Sequence, residues 1–200
     1  MLPSTFERNY DNLRCRSADF FSIHSISIVA PGWRDAQAGR MGENAWKGLY
    51  ALVSIASLVA MIYGYGIARQ IPVMVYVPPI ALRHLAFLLM LPVFPLLIAA
   101  YLPGRIKRMA RNPMLLAVIL WAVSHLLANG TLNDLLLFGG FLVWAVADLI
   151  SVSRRPHVRP LPGAPASAMN DGIVIVAGLG LYVFVLLWAH ARVVGVSPLG

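Results

Sequence analysis

The chain reads as an all-α, polytopic membrane helix bundle of five to six transmembrane helices, on three observations. Of its 200 residues, 59% are hydrophobic and only 12% charged, with a mean hydropathy of +0.73, which is too apolar and charge-poor for an ordinary soluble domain. Residues 48–68, 84–104, 112–133 and 172–191 contain no Asp, Glu, Lys or Arg, and each approaches the ~20 residues a helix needs to cross ~30 Å of hydrocarbon. The basic residues gather in alternate connections, the asymmetry that orients helices in a bilayer.

Residues 1–19 are polar, mixing Arg8, Arg14 and Arg16 with Glu7, Asp11 and Asp19. They lack the basic start and apolar core of a signal peptide, so no cleaved signal is expected, and they read as a tail ahead of a transmembrane domain over 20–200. Residues 20–33 form an apolar segment closed by Pro31-Gly32. That is short for a normal span, and whether it crosses is left open.

Spans are expected at about 46–68, 84–103, 113–129, 132–151 and 172–192. In the first, Ala56, Ala60, Gly64 and Ala68 recur every fourth residue, placing small side chains on one face where a second helix can approach. The third and fourth join through Asn129-Gly130-Thr131, residues that tolerate a tight turn, which predicts a helical hairpin. Pro156, Pro160, Pro162 and Pro165 make the following stretch an extended, semi-rigid linker. Gly178 and Gly180, inside the last span, read as packing residues.

Arg34, Arg40 and Lys47 share a side with Arg105, Lys107, Arg108 and Arg111 and with Arg154, Arg155 and Arg159. The opposite side holds Arg69, Arg83 and Arg192. This places the basic loops in the cytoplasm and the C-terminus outside it, in a multi-pass protein of a bacterial inner membrane. The net charge of +8 is spread over membrane-proximal loops; anionic lipid, not nucleic acid, is the expected partner. Cys15 is the single cysteine, which excludes an intrachain disulfide and a thiolate cluster.

The histidines carry the chemistry. His125 lies in a charge-free span, in its outer half, with Trp121 and Asn129 one turn away on the same face. His84 and His190 fall at an interface, where water satisfies an imidazole, and His157 lies in the Pro-rich linker. His24 sits within the short apolar segment. Two membrane-depth histidines on different helices are the minimum for bis-imidazole ligation of haem iron, although hydrogen bonds to neighbouring helices also account for buried histidines. Asp134 and Asp148 bracket the 132–151 span and read as solvated helix-end carboxylates, with a proton relay as the alternative. No Ser/His/Asp set on one face, no carboxylate pair and no Gly-rich phosphate loop points to a hydrolase.

A set of segments adds to this reading: His24-Ser25, APGWRDAQAGRMGENAWKGLYALVS at 30–54, GYGIARQ at 64–70, RHLAFLLMLP at 83–92 and AAYLPGRIK at 99–107. NPMLLAVILWAVSHLLANG at 112–130, LFGGFLVWAVAD at 137–148 and a final span after Asn170-Asp171 complete it. Together, over about 23–200, they resemble the NnrU family of integral membrane proteins, linked to nitrite and nitric oxide reduction and related to the zeta-carotene cis-isomerases. The resemblance implies a membrane helix bundle and a possible haem b, with His24 and His125 as axial ligands of the haem iron. The chain departs from the family where the span leading into His24 is replaced by the polar, divergent residues 1–19, and where Asn112 stands at a position commonly His.

Three functions follow as expectations. One is a membrane haem protein of nitrite and nitric oxide metabolism (denitrification), working with respiratory or nitrogen-oxide reductase components. A second is an enzyme on a lipid-soluble substrate, either a haem-dependent isomerase or a methyltransferase-like activity suggested by Asn112-Pro113-Met114 beside Arg105 to Arg111. The third is a non-catalytic partner or assembly factor of a respiratory complex, in which His125 is a packed, hydrogen-bonded residue. No catalytic residue is assigned.

Overall fold

In the computed structural model, residues 5–155 and 163–199 are described. His157, Arg159 and Pro156, Pro160 and Pro162 of the expected linker lie outside the described residues. The helices are α1 (Thr5–Val29), α2 (Pro31–Met41), α3 (Glu43–Ala68), α4 (Ile80–Met90), α5 (Val93–Ala99), α6 (Arg105–Ala110) and α7 (Pro113–Ala128), followed by α8 (Leu132–Arg154), α9 (Met169–Phe184) and α10 (His190–Val194). A π-helical turn, Val185–Ala189, joins the last two. No strand longer than an isolated bridge occurs among the described residues.

Four stretches are long and apolar enough to cross a membrane: Glu43–Ala68, Ile80–Ala99, Leu132–Arg154 and Met169–Val194. Pro113–Ala128 is apolar but shorter. The Ile80–Ala99 stretch is broken after Met90, where Leu91 and Pro92 separate α4 from α5. Proline has no N–H to give to the preceding turn, so the helix restarts there.

The chain divides into two compact units. The first comprises α1, α2, α3, α8 and the connection at 69–77; the second comprises α4 to α7, α9 and α10. Helix α8 packs with α1 and α3, and α7 packs with α4 and α5.

In the first unit, the polar segment read as a tail is helical from Thr5 and continues without a break through His24 to Val29. What allows it is a buried stripe, Tyr10, Leu13, Ser17 and Phe20, repeating at intervals of three and four residues. The charged Asp11, Arg14 and Asp19 point outward between them. The stripe lies on α3 along Ser57, Met61, Gly64 and Ala68. The small-residue face thus holds at Gly64 and Ala68 but not at Ala56, which is exposed; its place is taken by Ser57 and Met61. A Cβ added at Gly64 would stand 3.3 Å from the Leu13 Cα and 2.9 Å from the Arg16 Cδ.

The 69–77 connection closes this unit at one end. The Tyr10 hydroxyl donates to the Ile71 carbonyl and accepts from the Val73 N–H, each at 3.2 Å. Met74 pairs with Thr131 in an antiparallel bridge. The N–H groups of Val75 and Tyr76 donate to the Gly130 carbonyl at 2.8 and 3.1 Å, and Leu132 N–H donates to Val73 O at 2.8 Å. Gly130 is required here for lack of space, since a Cβ would run into the Tyr76 carbonyl.

In the second unit, α5 packs on both α7 and α9, and α4 packs on α7. The α5–α9 approach is close because a Cβ on Gly178 would lie 2.5 Å from the Pro95 nitrogen. Gly180 has nothing within 4 Å of a Cβ position, so only the first of the two glycines is a packing residue. At one end, Asp171 accepts from the N–H groups of Arg105 and Ile106 at 2.8 and 3.0 Å, satisfying donors at the start of α6. Asn170 donates to the Pro103 and Pro165 carbonyls at 2.9 and 3.0 Å.

Two glycines two residues apart test the α1–α3 seam. Gly64→Leu should lower the thermal unfolding midpoint of the detergent-purified protein by several degrees, because a side chain there displaces α1. Gly66→Leu, with open space at its Cβ, should leave the midpoint unchanged or raised. Equal effects at the two positions would contradict the seam.

Candidate functional site

His24 follows Phe20 by one turn on the buried stripe of α1. Its Nδ1 lies 2.8 Å from the Phe20 carbonyl. A carbonyl oxygen has no proton to give, so Nδ1 is the donor, and in the neutral ring Nε2 is then the nitrogen with the lone pair. The Phe20 ring stacks on the imidazole at 4.0 Å between centroids, inclined by 27°. Tyr50 of α3 and Trp144 of α8 stand edge-on at 5.8 and 6.0 Å. The Trp144 Nε1 is buried with no hydrogen-bond partner, an arrangement that costs about 1–3 kcal/mol when no acceptor is supplied.

His125, in the second unit, repeats the device. Its Nδ1 lies 2.8 Å from the Trp121 carbonyl one turn earlier in α7, and the Trp121 ring stands 5.1 Å away. Trp121 is thus on the expected face. Asn129 lies beyond the end of α7, and its carbonyl accepts from the Tyr76 hydroxyl at 2.7 Å. The His190 ring stands 6.5 Å from His125, inclined by 22°. His190 is half-buried and His84 is exposed.

The expectation of a solvated Asp134 is corrected: its exposure is 7%. Tyr65 donates to its Oδ1 at 2.5 Å and Thr131 to its Oδ2 at 2.5 Å. Thr131 precedes α8, so the carboxylate sits in the first helical turn, where the backbone dipole favours negative charge. Burial, and then the Asp134 carboxylate, push the neighbouring Tyr76 phenol above its ordinary value, keeping it a donor. Sequence reasoning missed this group because Tyr65 and Asp134 are 69 residues apart. The available signal was Thr131-x-x-Asp134, the spacing of a capping pair at a helix start. Asp148 is half-buried.

A methyltransferase-like pocket would draw on the basic segment 105–111. Its first two N–H groups are committed to Asp171, and the Lys107 ammonium donates to the Ala100 carbonyl at 2.7 Å. Among the described residues, no group of three or more His, Cys, Asp or Glu side chains is arranged to hold a metal ion.

An all-α membrane protein, with imidazoles on helices in each of its two units and a buried carboxylate at a helix start, is the class these features define. The chain belongs to the NnrU family, whose model (NnrU protein) matches residues 13–198. No curated protein and no solved structure matches it.

Removing the buried carboxylate is expected to be costly. Asp134→Ala should destabilise the detergent-solubilised protein by about 2–4 kcal/mol, since it leaves the Tyr65 and Thr131 hydroxyls without their acceptor. Denaturant unfolding checks this, and an unchanged midpoint would show that the cluster does not carry stability.

Proposed function

We propose that this NnrU-family protein is a bacterial inner-membrane haem b protein of nitrite and nitric oxide metabolism, with His24 and His125 as iron ligands. The observation that carries the reading is the shared hydrogen bond: in both histidines the Nδ1 proton goes to the carbonyl one turn earlier at 2.8 Å. Each imidazole is thereby oriented, with Nδ1 engaged as donor and Nε2 the nitrogen that would ligate a metal. The donor chemistry fits haem iron, and the unpartnered Trp144 N–H beside His24 offers a donor to a polar cofactor edge.

Haem b supplies one-electron redox chemistry when bound. The chain's own residues supply the rest. Donation to the Phe20 and Trp121 carbonyls makes each Nε2 more electron-rich, and the Phe20 stack restricts rotation of the His24 ring. Phe20, Tyr50 and Trp144 set aromatic rings around the His24 imidazole, and such a shell would tune the potential of a bound iron. Held by both His24 and His125, such a group would suit electron transfer rather than activation of a small ligand. The electron partners on this reading are respiratory or nitrogen-oxide reductase components; the basic loops face the cytoplasm and anionic lipid, and the C-terminus faces the periplasm.

The detergent-purified protein, expressed with ample haem precursor, should show a sharp Soret band and split α and β bands on reduction. His24→Ala and His125→Ala should each abolish or broaden these bands. Both variants retaining the wild-type spectrum would remove the ligand pair, and a colourless wild-type protein would remove the haem.

A further inference from the structure

We infer that residues 71–77 form an apolar strap that inserts among lipid acyl chains, at the membrane border away from the basic residues Arg34, Arg40 and Lys47. Its partner is the bilayer, and three observations point there.

The first is the outward face. From Ile71 through Leu82 the chain carries no charge, and the Tyr76 hydroxyl is the only side-chain hydrogen-bond donor. That hydroxyl is committed to the Asn129 carbonyl at 2.7 Å. Met74, Val75 and Val77 are 61%, 55% and 79% exposed, and Ile71 and Pro72 are exposed beside them. A contiguous apolar face of this kind marks a surface that something other than water covers.

The second is the backbone. An extended segment enters lipid only when the protein itself satisfies its main-chain polar groups. The Ile71 N–H donates to the Ala68 carbonyl at 3.3 Å, the Val73 N–H to the Tyr10 hydroxyl at 3.2 Å, and those of Val75 and Tyr76 to the Gly130 carbonyl. Pro72 has no N–H to satisfy. The Ile71 and Val73 carbonyls accept from the Tyr10 hydroxyl and the Leu132 N–H. The polar edge of the strap is thus turned toward α1 and the start of α8, and apolar side chains are left facing out.

The third is depth. Helix α3 is free of charge over residues 48–68, a length of about 30 Å at 1.5 Å per residue, which matches the hydrocarbon thickness. Glu43 and Lys47 mark the near border, so the chain leaves α3 at the far one and the strap begins there. Exposed Ile55, Val59 and Ile62 carry an apolar surface along α3 toward that level. A protein partner would be held partly by directional bonds, about one per 100–200 Å² of interface. The strap has no uncommitted side-chain donor to offer one, and acyl chains require none.

The test is nitroxide accessibility in the full-length protein, reconstituted into vesicles of phosphatidylethanolamine and phosphatidylglycerol. The exposed Cys15 is first replaced by serine, and Met74→Cys, Val75→Cys and Val77→Cys are then labelled one at a time. Collision with oxygen, which concentrates in acyl chains, should exceed collision with a water-soluble nickel chelate. The ratio should lie several-fold above that of a label at Arg40→Cys, on exposed α2. Nickel access at the three strap positions equal to that at position 40 would overturn the insertion, because the strap would then be in water. Low access to both reagents would overturn it equally, because a second protein would then cover the strap. Three separate positions keep the outcome readable if one variant fails to fold.

Discussion

The close approach of α1 to α3 at Gly64 is the contact on which the first unit depends. A helix that carries Glu7, Arg8, Asp11, Arg14, Arg16 and Asp19 gains little from apolar burial overall, so its attachment relies on a narrow seam. Leu13 and Ala68 are fully buried along it, and the absence of a side chain at Gly64 lets the α1 backbone come within van der Waals reach. Everything that gives His24 its surroundings follows. Phe20 is the last member of the same stripe, His24 is one turn beyond, and Tyr50 and Trp144 are presented by the two helices α1 packs against.

At the far end of that unit, polar groups are matched instead of excluded. Tyr10 bridges Ile71 and Val73, Gly130 accepts from two successive N–H groups, and Asp134 collects the Tyr65 and Thr131 hydroxyls. An extended stretch such as 69–77 exposes backbone donors and acceptors that low-dielectric surroundings penalise. The cluster supplies a partner for several of them and anchors the start of α8. The second unit uses the same economy, with Asp171 and Asn170 saturating the turn that leads into α6.

The membrane-spanning helices were legible because length and the absence of charge are local properties of the chain. The first helix was not, since hydropathy averages over a turn and hides a one-sided stripe. Reading Tyr10, Leu13, Ser17, Phe20 and His24 by their spacing of three and four residues recovers it. His125 was legible as a lone ionisable side chain in an apolar span. The nearness of the His190 ring to His125 was not legible, because a π turn leaves no signature in residue type. Asp134 was misjudged because burial at a helix end depends on what packs over it, in this case Tyr65 of α3.

The functional account turns on where each imidazole proton resides. The decisive measurement is nitrogen-15 NMR of the protein labelled at histidine, in detergent, with His24 and His125 assigned from their alanine variants. Both should appear as neutral imidazoles protonated at Nδ1 and bare at Nε2. Finding the proton on Nε2, or a charged imidazolium, at either position would contradict the ligand chemistry assigned to it.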